Sequence, residues 1–224
     1  MNKNVLVIAA HPDDELLGCA GTVALHVKNK DRVKSVIMCE GESLRGVVQS
    51  SDNIPHSEQA AQVLGVEEVI HVGLPDQRLD QITLTEVITP IERVVADFQP
   101  NVIYCQFGGD INRDHELLFK AILVATRPTV ECIESVYAFD TASSTEWAYP
   151  RSFVPDTYVD ITSTLDLKLQ AMACYESELR DYPHPRSLEA LRYKAHAWGN
   201  QACLDAAEVF MTVRKVSRDG KTPV

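Results

Sequence analysis

The chain has 224 residues, 45% of them hydrophobic, with a formal charge of −11. This is enough for one α/β domain (residues 1–140 as its core, 141–213 as a C-terminal strand and helix extension) and a polar tail at 214–224. The negative field opposes nucleic acid and anionic membranes, and no apolar run reaches spanning length, so the expected partner is a small molecule and the expected compartment the cytoplasm.

Met1 to Asn4 lead straight into an apolar run, Val5 to Ala9, with no signal-peptide h-region or cleavage site. The run has strand character and ends in His11-Pro12-Asp13-Asp14-Glu15. Leu16, Ala20, Val23, Ala24 and Val27 then recur at helical spacing. Val33 to Cys39 reads as the second strand and Glu40 to Asn53 as a polar loop over the strand ends. A helix from Pro55 to Leu64 closes on Gly65, and Glu68 to Val72 is the third strand, followed by the loop Gly73 to Asp80.

Leu84, Val87, Ile88, Ile91, Val94, Val95 and Phe98 form a helical stripe in which Pro90 predicts a kink, or a restart capped by Thr89. Asn101 to Gln106 is the fourth strand; Gly108-Gly109-Asp110 turns the chain through Asn112, Asp114 and His115 into a helix over 116–126. Glu134 to Phe139 is the fifth strand, so residues 4–139 alternate βαβαβαβαβ. That pattern predicts a Rossmann-like, mostly parallel sheet with helices on both faces. Beyond it come an aromatic, proline-punctuated stretch (Trp147, Tyr149), a short strand at 157–161, a helix from Leu165 to about Leu179, a helix over 187–203, a strand at 208–213 and a frayed tail. Six scattered cysteines without a CxxC pair read as small buried hydrophobes of a reducing compartment.

Three carboxylates beside one imidazole repel one another unless a cation sits among them. The bland reading is a turn with Asp13 or Asp14 as helix cap. The second cluster, Asp110 to His115, shifts the balance: strands one and four of such a sheet are neighbours at the topological switch point, where ligands bind. His11, Asp14 and His115 then make a two-histidine, one-carboxylate set with room for water, the catalytic pattern for Zn²⁺ or another divalent metal. Asp13 is left as general base and Asp114 as orienter of a ligand histidine. His26 and His196 read as packing or surface residues, His71 as structural, and Glu208 as the partner of an arginine; Trp147 and Tyr149 stack on a ligand or cap the core.

The segments His11 to Glu15, Gly73-Leu74-Pro75-Asp76, Asp114-His115 and, further on, Tyr175 to Leu179, Pro183 to Ser187 and Ala207 to Phe210 resemble the PIG-L/LmbE-like family of zinc-dependent N-deacetylases. The resemblance implies a hydrolase that removes acetyl from an N-acetylglucosamine-type sugar or glycoconjugate, with His11, Asp14 and His115 as zinc ligands and Asp13 as base. It implies Asp76 as a sugar-hydroxyl contact and Arg45 as a weaker candidate, and Arg186 offers a further hydrogen-bond partner. Many members carry histidine where this chain has Asn112, whose amide can donate to an oxyanion. His184, between two prolines that hold the backbone extended, is then the candidate for protonating the leaving amine. The rivals are a zinc amidase acting on a non-sugar acyl amide and a non-catalytic Rossmann-like module that holds a sugar or nucleotide. The absence of Gly-x-Gly-x-x-Gly after strand one weakens the latter, and homo-oligomerisation stays open.

Overall fold

A computed structural model describes residues 2–41 and 55–218. Seven strands lie in one sheet: β1 (Asn4–Ala9), β2 (Arg32–Cys39), β3 (Glu68–Leu74), β4 (Val102–Gln106), β5 (Ser135–Phe139), β6 (Thr157–Asp160) and β7 (Ala207–Lys215). Their order is β3-β2-β1-β4-β5-β7-β6. The first five are parallel, and β7 pairs antiparallel with both β5 and β6. The expected α/β class and the side-by-side placement of strands one and four are what the chain adopts.

Strand β1 shows why its sequence is an unbroken apolar run. Val5 and Val7 pack into one core with Leu16, Leu17 and Ala20 of α1 (Asp14–Lys28) and with Leu165 and Leu169 further on. Leu6 and Ile8 pack into the other, with residues of the helices on the opposite face. Both faces of a central parallel strand are covered, so alternation gives way to continuous hydrophobicity. Each fully buried leucine or isoleucine contributes about 1.5–3 kcal/mol over an exposed one.

The remaining helices are α2 (His56–Leu64), α3 (Leu84–Phe98), α4 (Arg113–Ala125), α5 (Leu165–Ala173) and α6 (Leu188–Gln201). Gly65 ends α2 at φ 77°, the left-handed position for which glycine was expected. Gly18 of α1 is needed for a different reason: a β-carbon there would stand 2.0 Å from the Phe139 ring. Helix α4 begins three residues before its expected start, because the Asn112 side chain accepts from the Asp114 amide and caps it. That shift puts Asp114 and His115 in the first helical turn.

Four expectations are corrected. Helix α3 runs through Pro90 without a restart; the cap is Thr83, in a capping box with Glu86, while Thr89 Oγ1 donates to Thr85 O. The stripe of Val87, Ile91, Val95 and Phe98 anchors both halves in the core. Helix α5 ends at Ala173 rather than near Leu179, because Tyr175 and Glu178 leave the helical path to reach Glu15 and Arg186. Strand β7 continues to Lys215, and Arg218 donates to Pro128 O and Glu131 O, so the chain is docked well past the expected onset of fraying. Glu208 pairs with Lys168 rather than an arginine. No described helix is long and apolar enough to cross a membrane.

Candidate metal centre

The turn after β1 and the first turn of α4 meet at the carboxyl end of the sheet. His11 Nδ1, Asp14 Oδ2 and His115 Nε2 stand 3.2 Å from one another along all three edges. Two imidazole nitrogens and a carboxylate oxygen facing a common point are three potential lone-pair donors. Ligand atoms around a tetrahedral ion with bonds of about 2.0–2.1 Å stand about 3.3 Å apart, so the triangle has the size of one tetrahedral face. The donor set fits zinc.

The other nitrogen of each ring meets a carboxylate. His11 Nε2 is 3.2 Å from Asp114 Oδ2. His115 Nδ1 is 3.3 Å from Asp110 Oδ1, within Coulomb range though short of a well-formed hydrogen bond. Carboxylates behind ligand histidines fix the tautomer and the ring direction. Asp114, the expected orienter, lies beside His11, and its Oδ1 is held by the Leu79 amide at 3.1 Å. Sequence reasoning did not assign Asp110 a role, nor Gln106, whose Nε2 donates to Asp14 Oδ2 at 2.7 Å. The signal for Gln106 was a lone amide at the tip of an apolar strand.

Without an ion the triangle retains protons. Burial disfavours charge on His11, but its bonds to Asp114 and Asp14 outweigh that and raise it well above the usual imidazole value. His115 is pushed up to about 9, since Asp14 and Asp110 more than offset its burial. Burial also opposes charge on Asp14, yet the two histidines hold it well below the carboxylate range. A cation bound there replaces those protons.

Asp13 occupies the N-cap position of α1 at φ 95°, ψ −27°, which is uncommon for a residue other than glycine, and its side chain makes no capping bond. The helix-cap reading therefore fails for it. Its Oδ2 accepts from Arg186 Nη1 at 3.1 Å, and its amide donates to Glu15 Oε2 at 3.1 Å. Burial lifts the Asp13 carboxyl, Arg186 opposes, and Asp14 and Glu15 add to the rise, leaving it at about 7. Arg186 also donates to Glu178 at 2.9 Å and, through Nε, to Ser143 at 2.8 Å, so this candidate substrate contact is fastened to the acid beside the triangle.

A cavity of about 1050 Å³ opens over the triangle, with Asp76, Asn112, Trp147 and Arg186 in its wall. Asn112 spends Oδ1 on capping α4, which leaves its amide nitrogen as the donor end. Asp76 is buried, with Oδ1 3.3 Å from His11 Nε2. His184 is not part of the wall: Nδ1 accepts from the Arg186 amide at 3.1 Å, and the ring meets Trp147 edge-on with centroids 6.2 Å apart. Arg45 lies outside the described residues. Trp147 is half exposed at the cavity and Tyr149 is almost fully exposed, so neither caps the core. His71 lies in the same wall with Nε2 3.1 Å from Ser57 Oγ. His26 bridges Asp31 and Tyr104 as a packing residue, and His196 is exposed and meets Asp205 O.

The profile of the PIG-L family, described as GlcNAc-PI de-N-acetylase, matches residues 6–126, more than half of the chain. The uncharacterized deacetylase YaiS of Escherichia coli is 27% identical over 181 residues, covering 78% of this chain and 91% of that protein. A probable N-acetyl-alpha-D-glucosaminyl L-malate deacetylase 2 of Bacillus cereus is 25% identical over 191 residues, covering 80% and 84%. The 4-oxalmesaconate hydratase of Pseudomonas putida is 27% identical over 198 residues, covering 77% and 72%. Among solved structures, the conserved protein TT1542 of Thermus thermophilus superposes with a TM-score of 0.79 at 21% identity, covering 99% of this chain and all of that one.

Proposed function

On the premise that this chain belongs to the PIG-L family of deacetylases, we propose that it hydrolyses the N-acetyl group of an N-acetylglucosamine-type sugar or glycoconjugate with a zinc ion held by His11, Asp14 and His115. The observation that carries the reading is the equilateral 3.2 Å triangle of donor atoms, with Asp13 next to one of its members in sequence. A divalent ion bound there supplies Lewis acidity, making water a nucleophile near neutral pH and polarising the amide carbonyl.

The remaining steps belong to the side chains. Asp13 accepts the proton that water loses as its oxygen bonds to the acyl carbon, a transfer worth about 10²–10⁴-fold. Arg186 holds that carboxylate in place. Asn112 donates through its amide nitrogen to the developing oxyanion, a contact of the kind that costs about 3 kcal/mol to remove. When the C–N bond breaks, the leaving nitrogen takes its proton from Asp13. We assign the step to Asp13 because His184 Nδ1 is engaged by the Arg186 amide and its ring packs edge-on against Trp147. His184 then supports the segment that carries Arg186. Asp76, beside His11 in the cavity wall, is retained as the candidate contact for a sugar hydroxyl.

The test is acetate release by zinc-loaded protein across N-acetylglucosaminides of differing aglycone and a set of N-acyl amino acids. Acetate from the sugars is expected. Acetate from the acyl amino acids alone selects a non-sugar amidase. The hydratase relative favours a second reading, water addition to an unsaturated acid. Release of no acetate, with hydration of a dicarboxylic enoate, would establish that one instead.

A further inference from the structure

We propose that the turn Ser143-Ser144-Thr145 positions both halves of the centre at once: Ser143 holds the base Asp13 through Arg186, and Ser144 and Thr145 hold the ligand His115 through Asp110. The three are positioning residues for the deacetylation proposed above, on which their roles rest. The turn follows β5, and Ser143 and Ser144 lie in the wall of the cavity over the triangle.

The first arm runs to the base. Arg186 reaches Asp13 from the segment between α5 and α6, and a long side chain fixes a carboxylate only when its own plane is fixed. The guanidinium is rigid and planar. Its Nη1 donates to Asp13 Oδ2 at 3.1 Å and to Glu178 Oε2 at 2.9 Å, and Nε donates to Ser143 Oγ at 2.8 Å. Holding Nε as well as Nη1 stops that plane from pivoting about its contact with Asp13.

The second arm runs to the metal ligand. Ser144 Oγ donates to Asp110 Oδ1, Thr145 Oγ1 donates to Oδ2 at 2.6 Å, and the Asn112 amide donates to Oδ1 at 2.8 Å. Donors on both oxygens fix the plane of the carboxylate. His115 Nδ1, a buried nitrogen with no hydrogen-bond partner, faces that Oδ1 at 3.3 Å. The direction of the ring therefore depends on where Asp110 is held. Ser144 and Thr145 are both buried, so their hydroxyls serve the interior rather than solvent.

The turn itself is fastened from within. The Glu146 carboxylate accepts from the Ser143 amide at 2.8 Å and from the Ser144 amide at 3.2 Å, and Thr145 Oγ1 accepts from the Thr141 amide at 2.8 Å. Ser143 takes φ 67°, which is uncommon for a residue other than glycine. Such a conformation persists where the surroundings over-determine it, and these positions cluster at functional sites. Its effect here is that two successive serines send their hydroxyls to different halves of the centre, one to Arg186 and the next to Asp110.

The experiment reads zinc affinity, by competition with a chromophoric chelator, beside kcat and KM for acetate release from an N-acetylglucosaminide; a denaturant melt checks folding. Ser143→Gly suits the left-handed backbone and removes only the hydroxyl. It is expected to lower kcat about ten- to a hundredfold at unchanged KM, with zinc affinity within about twofold of the wild type. Ser144→Ala combined with Thr145→Val strips the hydroxyl donors from Asp110 and is expected to weaken zinc about tenfold. Ser144→Ala alone, which keeps the Thr141 bond to Thr145, shifts affinity the same way by less. Glu146→Ala releases the turn and moves both quantities. Wild-type kcat in Ser143→Gly, or wild-type zinc affinity in the paired variant, overturns this proposal and leaves the triangle and its base standing. A wild type that binds zinc and releases no acetate overturns the deacetylation instead, and the zinc affinity of the paired variant still decides the role of Ser144 and Thr145.

Discussion

Two buried clusters of charge among the described residues are built on opposite principles. In the first, Lys168 Nζ meets Glu208 Oε1 at 2.6 Å and Leu17 O at 2.9 Å. The Glu208 carboxylate also accepts from the amides of Gly21 and Thr22 and from the Thr22 hydroxyl. Those amides lie just past Cys19, where α1 breaks its helical geometry, so Glu208 caps the second half of a broken helix. The opposite charges are paired off inside the protein, and the remaining bonds go to backbone groups and the Thr22 hydroxyl. In the second cluster, His11, Asp14 and His115 turn lone pairs toward one point, and the carboxylates behind them reinforce the arrangement. Burial alone does not mark a site. A cluster that satisfies itself holds the fold together, whereas one whose ligand atoms converge on a single point calls for something from outside.

That contrast can be broken at the converging cluster first, where the largest effect is expected. Asp13→Asn keeps the triangle and its ion, so metal content should match the wild type while turnover falls by about 10²–10⁴-fold. Elemental analysis and acetate release read the two quantities separately. A loss of only a fewfold would remove Asp13 from the role of base.

The self-satisfied cluster should respond in the opposite sense. Lys168→Met leaves Glu208 buried with no countercharge and should cost about 3–5 kcal/mol in a denaturant melt, with metal stoichiometry unchanged. Adding Glu208→Gln, which retains an oxygen for the Gly21 and Thr22 amides, should recover part of that loss. If the single substitution proved neutral, the pair would not be the structural element described above.

The smallest effect belongs to a pair near the surface. Asp31 accepts from His26 at 2.7 Å and from the Lys3 amide at 2.8 Å. Burial works against its ionised form, but these bonds outweigh it and hold the carboxyl below its usual value. A depressed carboxyl contributes stability above its unfolded pKa, near 3.9, and loses it as pH falls through the folded value. Asp31→Asn should therefore cost less than about 1 kcal/mol at neutral pH. Its melting temperature should converge with the wild type in acid.

Much of this was legible in the sequence because it depends on local rules. The continuous apolar runs at Val5 to Ala9 and Val102 to Cys105 announced central parallel strands, and the βαβ alternation constrained which of them could be neighbours. From that adjacency alone His11, Asp14 and His115 could be brought together across about a hundred residues. Helix ends were less legible. Tyr175 and Glu178 fit a helical pattern, and only their long-range bonds to Glu15 and Arg186 explain why α5 stops short.

What the tertiary structure decided was the direction in which side chains point. Composition and spacing cannot tell that Asp13 takes a positive φ so that its carboxylate meets Arg186 instead of capping α1. Nor can they tell that Glu208 finds a lysine, or that the Cys39 thiol, at the edge of an apolar core, lies 3.8 Å from Asp114 Oδ2. Residue order specifies strands, helices and turns through near-neighbour sterics and hydrophobic periodicity. The pairing of buried polar atoms is fixed only when distant segments pack, because each such atom must find its partner within about 3 Å in three dimensions.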